Sequence, residues 1–544
     1  MSPKLSRVKK LLPSWKSAAL SLLAAGLLIL AFPDFEFWFL AWFALVPLLW
    51  AIDREKESTV RTFLLGWLFG TAFFFGTCWW LTYAPIHYAA VPWPIAYSLI
   101  FIACLGAGVF PGVFAAVMSV LLKKFGSRAF LAAPFVWVFS EFLRYWLTGN
   151  NWNAIGYSQA FGPFGLPASI GGVLFVSVFP AAFQGAILAE VFARLQNKQG
   201  FVEKRLPYLV ALATLLFPTY LYVKSQNQPQ FSVIRQPLIH AIAIQPNVPM
   251  SSLSSEEVRR RRDWQFAKAL EIETGLDYRL SPSLIILPES PMNFMYHDDR
   301  EFQQFIGDFA RRNNVSVLFN SAEPDKTNGK YFNSAVMVGP DGREAVQYDK
   351  IYLLPFGEAV PPILEGIVPG FVGNFSYGGE YDLFPLGDAR AGVMICFESH
   401  FGQLSREYVR NGADVLIEMT NDGYLGPTPV LRQHLANAVF RAVETNRPVL
   451  RVTNVGITAY INERGQVLGE APSYTEATRV WSVSKSDGSQ TFYVKYGDWF
   501  AWLCGIVTFG LLIASLRRRK SEQPAVAGVE GNPSERDNLF GIQR

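Results

Sequence analysis

Long apolar runs separated by short charged segments fill the first 225 residues, and one more apolar run lies near the C-terminus. A helix needs about 20 apolar residues to cross roughly 30 Å of hydrocarbon. The sequence therefore predicts eight transmembrane helices. They cover approximately residues 17–32, 36–52, 62–83, 93–122, 129–147, 168–193, 206–223 and 498–515. Segment 93–122 contains GAGVFPG, but its length fits one tilted or kinked helix better than two passes.

Lysine and arginine are concentrated in alternate loops of this pattern. The basic segments are KLSRVKK, DREKESTVR, LKKFGSR, ARLQNKQGFVEKR and RRRK, whereas FPDFEF, APIHYAAVPW and TGNNWNAIGYSQAFGPF contain neither residue. Basic loops stay in the cytoplasm. We therefore expect both termini to be cytoplasmic and residues 224–497 to lie on the outer side of the membrane.

The predicted helices divide the chain into four parts. Residues 1–223 form a membrane domain of seven helices, 224–497 an outer domain, 498–515 the eighth helix, and 516–544 a cytoplasmic tail. The tail is polar and contains proline and glycine, a composition typical of disorder.

Residues 224–497 change from long apolar runs to short ones interleaved with amphipathic segments. LIHAIAIQPNV, SLIILPES, VSVLFNS, FNSAVMV, AGVMIC, DVLIEMTND and PVLRVTN have the length and β-branched content of buried strands. LSREYVRNG and PVLRQHLANAVFRAVETN have helical periodicity, and GPDGRE has hairpin-turn chemistry. Strands interleaved with helices predict a layered α/β sandwich.

Composition agrees with a membrane protein. The chain is 51% hydrophobic and 15% aromatic, which is more apolar than ordinary soluble enzymes. A net charge of +4 over 544 residues gives no indication of nucleic-acid binding. The five histidines show no ligand spacing, so neither a metal site nor any other cofactor is expected.

Cys396 is the one cysteine outside the predicted membrane helices. Cys78, Cys104 and Cys504 lie within them, so Cys396 has no soluble partner for a structural disulfide. It ends the strand AGVMIC and precedes FESHFGQLSRE, a predicted helix start. A helix N-terminus lowers the pKa of a thiol and favours the nucleophilic thiolate. A solitary cysteine is also common as a small core residue, and both interpretations remain open at this point.

Three polar residues follow apolar strands in a fixed order: Glu289 in IILPES, Lys350 in QYDKIYLLPFGE and Cys396 in VMICFES. Their order, contexts and spacing of roughly 60 and then 46 residues resemble the nitrilase (carbon–nitrogen hydrolase) superfamily. That resemblance implies an α-β-β-α sandwich with a Glu-Lys-Cys site. Taken singly, Glu289 also fits a helix N-cap and Lys350 a surface charge.

Seven predicted membrane helices, a nitrilase-like outer domain and one final helix resemble the apolipoprotein N-acyltransferase family of the bacterial inner membrane. The resemblance implies a periplasmic catalytic domain. It further implies that Cys396 takes an acyl chain from a membrane phospholipid, by resemblance phosphatidylethanolamine, and passes it to the N-terminal amine of diacylglyceryl-cysteine in an apolipoprotein. Glu289 is the expected base and Lys350 the expected oxyanion partner, and the protein is expected to act as a monomer in the bilayer. The alternatives are a membrane-tethered amidase, in which water resolves the intermediate, and a periplasmic binding or transport protein without catalysis.

Further residues are expected around these three. The resemblance implies that Glu358 orients Lys350, that Glu398 holds the loop around Cys396, and that Asn333 and Asn421 anchor the pocket. Phe397 stands where the family commonly has tyrosine. Expected substrate or lipid contacts are Glu141, Arg144, Gln245, Asn247, Tyr352 and Phe356. His434, in a helical run, is expected to be structural.

Overall fold

The computed structural model describes residues 11–197, 200, 202, 205–227, 239–250, 254–273, 283–289, 294–355, 357–360 and 375–517. The predicted tail lies almost wholly outside these residues. So does most of the apolar segment that follows Lys350.

Between residues 11 and 227, the regular elements that the structure describes are helices. The α-helices are α1 (Trp15–Leu30), α2 (Leu45–Glu55), α3 (Thr59–Cys78), α4 (Tyr83–His87), α5 (Trp93–Phe125), α6 (Ala133–Thr148), α7 (Ala168–Leu195) and α8 (Leu206–Gln226). In the part of the chain that the structure describes, five stretches are long and apolar enough to cross a membrane: Thr59–His87, Trp93–Thr148, Ala168–Leu195, Leu206–Gln226 and Trp499–Leu516. Trp15–Leu30 is a shorter apolar helix.

Two predicted membrane segments differ in how they fold. Segment 93–122 is one helix, α5, although it contains Pro111. Segment 36–52 is not one helix, because a 3-10 turn at Trp38–Trp42 precedes the 11-residue α2. At 1.5 Å per residue, α2 is about 16 Å long and cannot cross a bilayer alone. The number of crossings therefore stays a prediction.

Within the described residues, the part of the chain from 239 to 483 contains two six-stranded sheets. The first has the order β12-β1-β2-β3-β4-β5 and the second β11-β10-β9-β8-β7-β6. The strands of the first sheet are β1 (Ile239–Gln245), β2 (Leu284–Ile286), β3 (Ser316–Pro324), β4 (Tyr331–Val338), β5 (Glu344–Asp349) and β12 (Ala477–Val483). Those of the second are β6 (Leu383–Leu386), β7 (Ala389–Ile395), β8 (Val415–Thr420), β9 (Val449–Thr453), β10 (Ala459–Ile461) and β11 (Val467–Leu468). Three parallel neighbours form the centre of each sheet: β1-β2-β3 and β7-β8-β9.

Helices cover both outer faces, which completes the predicted α-β-β-α sandwich. These are α9 (Ser255–Glu273) and α10 (Arg300–Asn313) on the first sheet, and α11 (Gly402–Arg410) and α12 (Val430–Thr445) on the second. The short α13 (Phe492–Tyr496) leads into the apolar α14 (Trp499–Leu516).

Successive side chains along β1 of the first sheet pack alternately on its two faces, one toward the second sheet and one toward the covering helices. In β1, Ala241 and Ala243 belong to the core between the sheets, whereas Ile242 and Ile244 belong to the core beneath α9 and α10. Successive side chains of a strand point to opposite faces, so a strand buried on both sides is continuously apolar. This explains why the strand sequences read as unbroken apolar runs.

Helix α12 lies between the sandwich and the membrane helices. Buried Gln433 accepts hydrogen bonds from the indole N–H groups of Trp80 and Trp152, at 3.2 and 2.9 Å. Its amide donates to the carbonyls of Pro33 and Thr77, at 3.3 and 3.0 Å. One side chain thus uses its full hydrogen-bonding capacity on three separate segments of the membrane part.

Candidate active site

The ends of strands from both sheets meet at one place. Lys350 directly follows β5 and Glu289 lies three residues beyond β2, both in the first sheet. Cys396 directly follows β7 in the second sheet. Its φ is +53°, a left-handed conformation that residues other than glycine rarely adopt. The three predicted catalytic residues are therefore brought together only where the two sheets pack.

Carboxylates surround the Lys350 ammonium. Its Nζ lies 2.8 Å from Glu358 Oε1 and 3.7 Å from Glu289 Oε1, and only 1% of the side chain is exposed. Asn333 Nδ2 donates to both of these carboxylates, at 3.0 Å to Glu289 and 2.6 Å to Glu358. The backbone N–H of Asn421 donates to Glu289 Oε2 at 3.2 Å. Each predicted supporting residue in this group thus contacts a predicted catalytic residue.

Burial and charge shift the pKa values of all three groups. Burial raises the pKa of the Glu289 carboxyl, although the Lys350 ammonium lowers it. Burial lowers the pKa of Lys350, but the carboxylates of Glu358 and Glu289 outweigh it and place this pKa above its ordinary value. Glu289 is consequently a stronger base than an exposed glutamate, and Lys350 remains a cation.

The predicted lowering of the Cys396 thiol pKa is wrong. Burial and the nearby Glu289 carboxylate raise this pKa well above its ordinary value, although Lys350 lowers it. The helix start was misplaced, because Cys396 opens a 3-10 turn that ends at His400 and α11 begins only at Gly402. The thiol therefore stays protonated at rest and needs a base to become a nucleophile.

Glu398 connects the segments that carry Lys350 and Cys396. Its Oε1 accepts from the hydroxyl of Tyr348 at 2.7 Å and from the N–H groups of Ile351 and Tyr352 at 2.8 and 3.0 Å. Its Oε2 accepts from the N–H of Ile395 at 2.9 Å. Burial raises the pKa of Glu398 to about 7, although Lys350 and these hydrogen bonds lower it. Above that pH the side chain accepts four hydrogen bonds around the site.

Two expected lipid contacts in the membrane part have partners within the protein. Glu141 accepts from the indole of Trp137 at 2.8 Å and from the N–H of Ile155 at 2.7 Å. Arg144 donates to the carbonyl of Trp152 at 3.0 Å, and both side chains are buried. These contacts hold the loop after α6, and contact of either residue with lipid stays a prediction.

The remaining expected contacts lie in the sandwich. Gln245 is fully buried, and its amide makes four hydrogen bonds, with Thr453, Thr458, Pro472 and Thr475. No donor or acceptor of that amide is left for a lipid. Asn247 adopts a positive φ and bonds the carbonyl of Asn454 through its backbone.

Aromatic contacts surround the nucleophile turn. Tyr352 stacks on Phe401 at 4.1 Å between ring centroids, and Phe397 stacks on His400 at 5.6 Å. Phe356 lies outside the described residues.

Four buried charged residues beneath Cys396 were not predicted as a group. They are Glu418 on β8, Asp422 in the turn after it, Arg451 on β9 and His434 on α12. Glu418 and Arg451 are direct partners in the parallel pairing of β8 with β9. The sequence contained one indication of this group, because two otherwise apolar predicted strands, DVLIEMTND and PVLRVTN, carry internal residues of opposite charge.

Known proteins resemble the chain over nearly its whole length. The family described as apolipoprotein N-acyltransferase N-terminal domain matches residues 24–186, and carbon-nitrogen hydrolase matches residues 252–491. An apolipoprotein N-acyltransferase of Geobacter metallireducens is 32% identical, covering 92% of this chain and 95% of the relative. The chain belongs to the apolipoprotein N-acyltransferase family. A second family member, from Thermotoga maritima, is 29% identical over 93% of this chain and 95% of its own.

Membership in this family confirms the predicted fold class and enzyme class. The protein is an N-acyltransferase of lipoprotein biosynthesis, a membrane protein with a nitrilase-like α/β domain. Among solved structures, an amidase from Nesterenkonia sp. AN1 is 15% identical with a TM-score of 0.37. The match covers 49% of this chain and 98% of that one.

Proposed function

We propose that this N-acyltransferase works by a two-step exchange through a thioester on Cys396. The donor is a membrane phospholipid, phosphatidylethanolamine, and the acceptor is the α-amine of diacylglyceryl-cysteine at the N-terminus of an apolipoprotein. The observation that carries the proposal is the buried cluster at the strand ends, where the Lys350 ammonium lies 3.7 Å from the Glu289 carboxylate and both groups act on the Cys396 thiol.

In the first step, Glu289 takes the thiol proton as the sulfur attacks the ester carbonyl of the donor. Negative charge collects on the carbonyl oxygen, where Lys350 and the N–H after Cys396 stabilise it. The carbon–oxygen bond then breaks, and Glu289 returns the proton to the leaving alcohol. The products are a lysophospholipid and an acyl-thioester enzyme.

In the second step, the acceptor amine attacks the thioester carbonyl and loses a proton to Glu289. The carbon–sulfur bond breaks, the proton returns to the Cys396 thiolate, and an amide is released. The raised pKa of the Glu289 carboxyl supports this role, because the same group must accept and release a proton in each step.

The same proposal gives the protein an orientation. Residues 1–223 cross the bacterial inner membrane as seven helices, 224–497 face the periplasm, 498–515 cross again, and both termini are cytoplasmic. Basic residues in alternate loops support this arrangement. Hydrogen bonds from Gln433 to the carbonyls of Pro33 and Thr77 hold α12 against the membrane part, which supports a lipid donor. The enzyme works as a monomer.

The test is the intact mass of the full-length protein purified from membranes, before and after neutral hydroxylamine. A fatty-acyl mass that hydroxylamine removes is expected in the wild type and absent from Cys396→Ala. Cys504→Ala is the matched control, because Cys504 is a fully buried cysteine of α14 and should leave the adduct unchanged. A wild-type protein that gains no acyl mass after incubation with phosphatidylethanolamine vesicles would overturn the thioester route. An adduct that water discharges as fast as an acceptor lipopeptide would favour the amidase alternative.

A further inference from the structure

His434 is buried, and both of its ring nitrogens face oxygen atoms. Nδ1 lies 2.7 Å from Asp422 Oδ1. Nε2 lies 3.0 Å from the main-chain carbonyl oxygen of Cys396 and 3.1 Å from Glu418 Oε1. A carbonyl can only accept, so Nε2 must carry a proton. If Asp422 is ionised, Nδ1 must carry one as well, and the ring is an imidazolium.

The surroundings keep both carboxylates ionised. Arg451 Nη2 lies 2.9 Å from Asp422 Oδ2, and Nη1 contacts Glu418 Oε1. Burial raises the pKa of each carboxyl, but Arg451 and His434 outweigh it and hold both pKa values below their ordinary range. The described charges are therefore two cations and two anions, all almost fully buried, a neutral set that needs His434 to be protonated.

Other groups that face His434 do not change this balance. Burial and nearby cations lower the pKa of His400 well below its ordinary value, so this neighbour is neutral. The Trp152 ring, 6.2 Å away, carries no charge. Burial lowers the pKa of His434, but Asp422 and Glu418 outweigh burial and Arg451 and raise it to about 9.

The contact with Cys396 bears on the nucleophile itself. A cysteine at a φ of +53° is strained, and such a conformation persists only where its surroundings hold it. On one side, the N–H of the preceding residue, Ile395, is held by Glu398. On the other, the carbonyl of Cys396 accepts from a charged donor, which makes a stronger bond than a neutral one.

We propose that His434 is a positioning residue whose imidazolium holds the Cys396 carbonyl and so aims the thiol at Glu289. This inference rests on the proposed role of Cys396. It assigns His434 a task beyond the structural one expected from the sequence. Because Gln433 is its neighbour on α12, the nucleophile and the membrane helices are held by consecutive residues of one helix.

The test compares His434→Gln with His434→Leu in the full-length protein. Glutamine can still donate one hydrogen bond from its amide but cannot become a cation, whereas leucine can do neither. We expect kcat to fall about tenfold in the glutamine variant and at least a hundredfold in the leucine variant, with KM for the phospholipid unchanged. His240→Gln, on β1 of the other sheet, is the matched control.

The pH profile separates positioning from general stability. Because the pKa of His434 is raised, the stabilisation that its charge gives to the folded site is fully present below about pH 6.5, the pKa of histidine in the unfolded chain. It is lost as pH rises through about 9. Wild-type kcat should therefore decline above pH 9, and the glutamine variant should lack that decline. A flat wild-type profile through pH 10, or a leucine variant with wild-type kcat, would overturn the proposal.

A second readout does not depend on the acyl donor. Alkylation of Cys396 by iodoacetamide, followed by peptide mass, reports thiol reactivity in the resting enzyme. We expect its pH dependence to shift in both His434 variants and not in His240→Gln. An unshifted profile in both variants would overturn the positioning role even where the hydroxylamine-sensitive adduct of the wild type upholds the thioester route. If the leucine variant does not fold, the glutamine variant alone decides.

Discussion

Replacing Glu398 by glutamine changes one oxygen to an amide nitrogen in a side chain that accepts four hydrogen bonds. In the best orientation, the amide oxygen takes the Oε1 position and still accepts from Tyr348, Ile351 and Tyr352. The amide NH₂ then faces the N–H of Ile395, a donor, and that bond is lost. Glutamine should therefore cost one buried hydrogen bond, about 1–3 kcal/mol. Alanine leaves all four donors unpaired and should cost several times as much.

Catalysis should suffer as well, because the four donors adjoin the catalytic residues. Ile351 follows Lys350, and Ile395 precedes Cys396. A displacement of about 1 Å at a reacting group can cost roughly a hundredfold in rate. We expect about a tenfold loss of kcat in Glu398→Gln and a hundredfold or greater loss in Glu398→Ala.

The assay is acyl transfer at pH 8, where Glu398 is ionised, beside a tryptophan-fluorescence thermal scan at one fixed heating rate. Glu380→Gln is the control, because Glu380 is an exposed glutamate of the same domain. Equal losses in Glu398→Gln and Glu398→Ala would refute the reasoning. They would show that the negative charge of Glu398, rather than the number of donors that it pairs, determines the effect.

Three other substitutions test separate parts of the structure. Glu289→Gln removes the base, so kcat should fall by 10²–10⁴ and no acyl mass should appear on the protein. Gln433→Leu leaves the buried indole N–H of Trp152 without its acceptor, while that of Trp80 keeps the Thr77 carbonyl, and it should lower the apparent Tm by several degrees. Arg432→Gln, the control, breaks partly exposed ion pairs with Glu36 and Glu470 and should lower the apparent Tm less. Gly426→Ala puts a Cβ 2.3 Å from the Tyr83 ring at a φ of +67°, so its apparent Tm and activity should both fall.

The sequence predicted the strands of the sandwich centre well, because buried parallel strands are continuous apolar runs. It missed the edge strands β5, β6 and β12, which are not continuous apolar runs: β5 and β12 contain charged residues, and β6 contains an exposed proline, Pro385. Glu289 and Cys396 were singled out because each follows such a run, whereas Lys350 follows the polar β5 and was singled out by its place between them in the order of the resembling superfamily. The partners of Glu398 could not be predicted, since three of its four donors are backbone N–H groups, which carry no residue-specific signal.

The thiol pKa was predicted in the wrong direction for a related reason. A pattern of apolar and polar positions shows that a helix is near but not at which residue it begins. Here α11 starts at Gly402, six positions after Cys396. Burial and the Glu289 carboxylate, which depend on the packing of two sheets, then determine the pKa.

The bonds of Gln433 also bear on how the protein is made. Its partners near Pro33, Thr77 and Trp152 precede it in the chain by at least 280 residues, so ribosomes complete them long before α12 emerges. A catalytic domain produced without the membrane part would leave the Gln433 amide of α12 without these partners. Synthesis from the N-terminus instead means that the partners of Gln433 are already made when that helix emerges, whereas α14, which packs on the same membrane helices, is made after it.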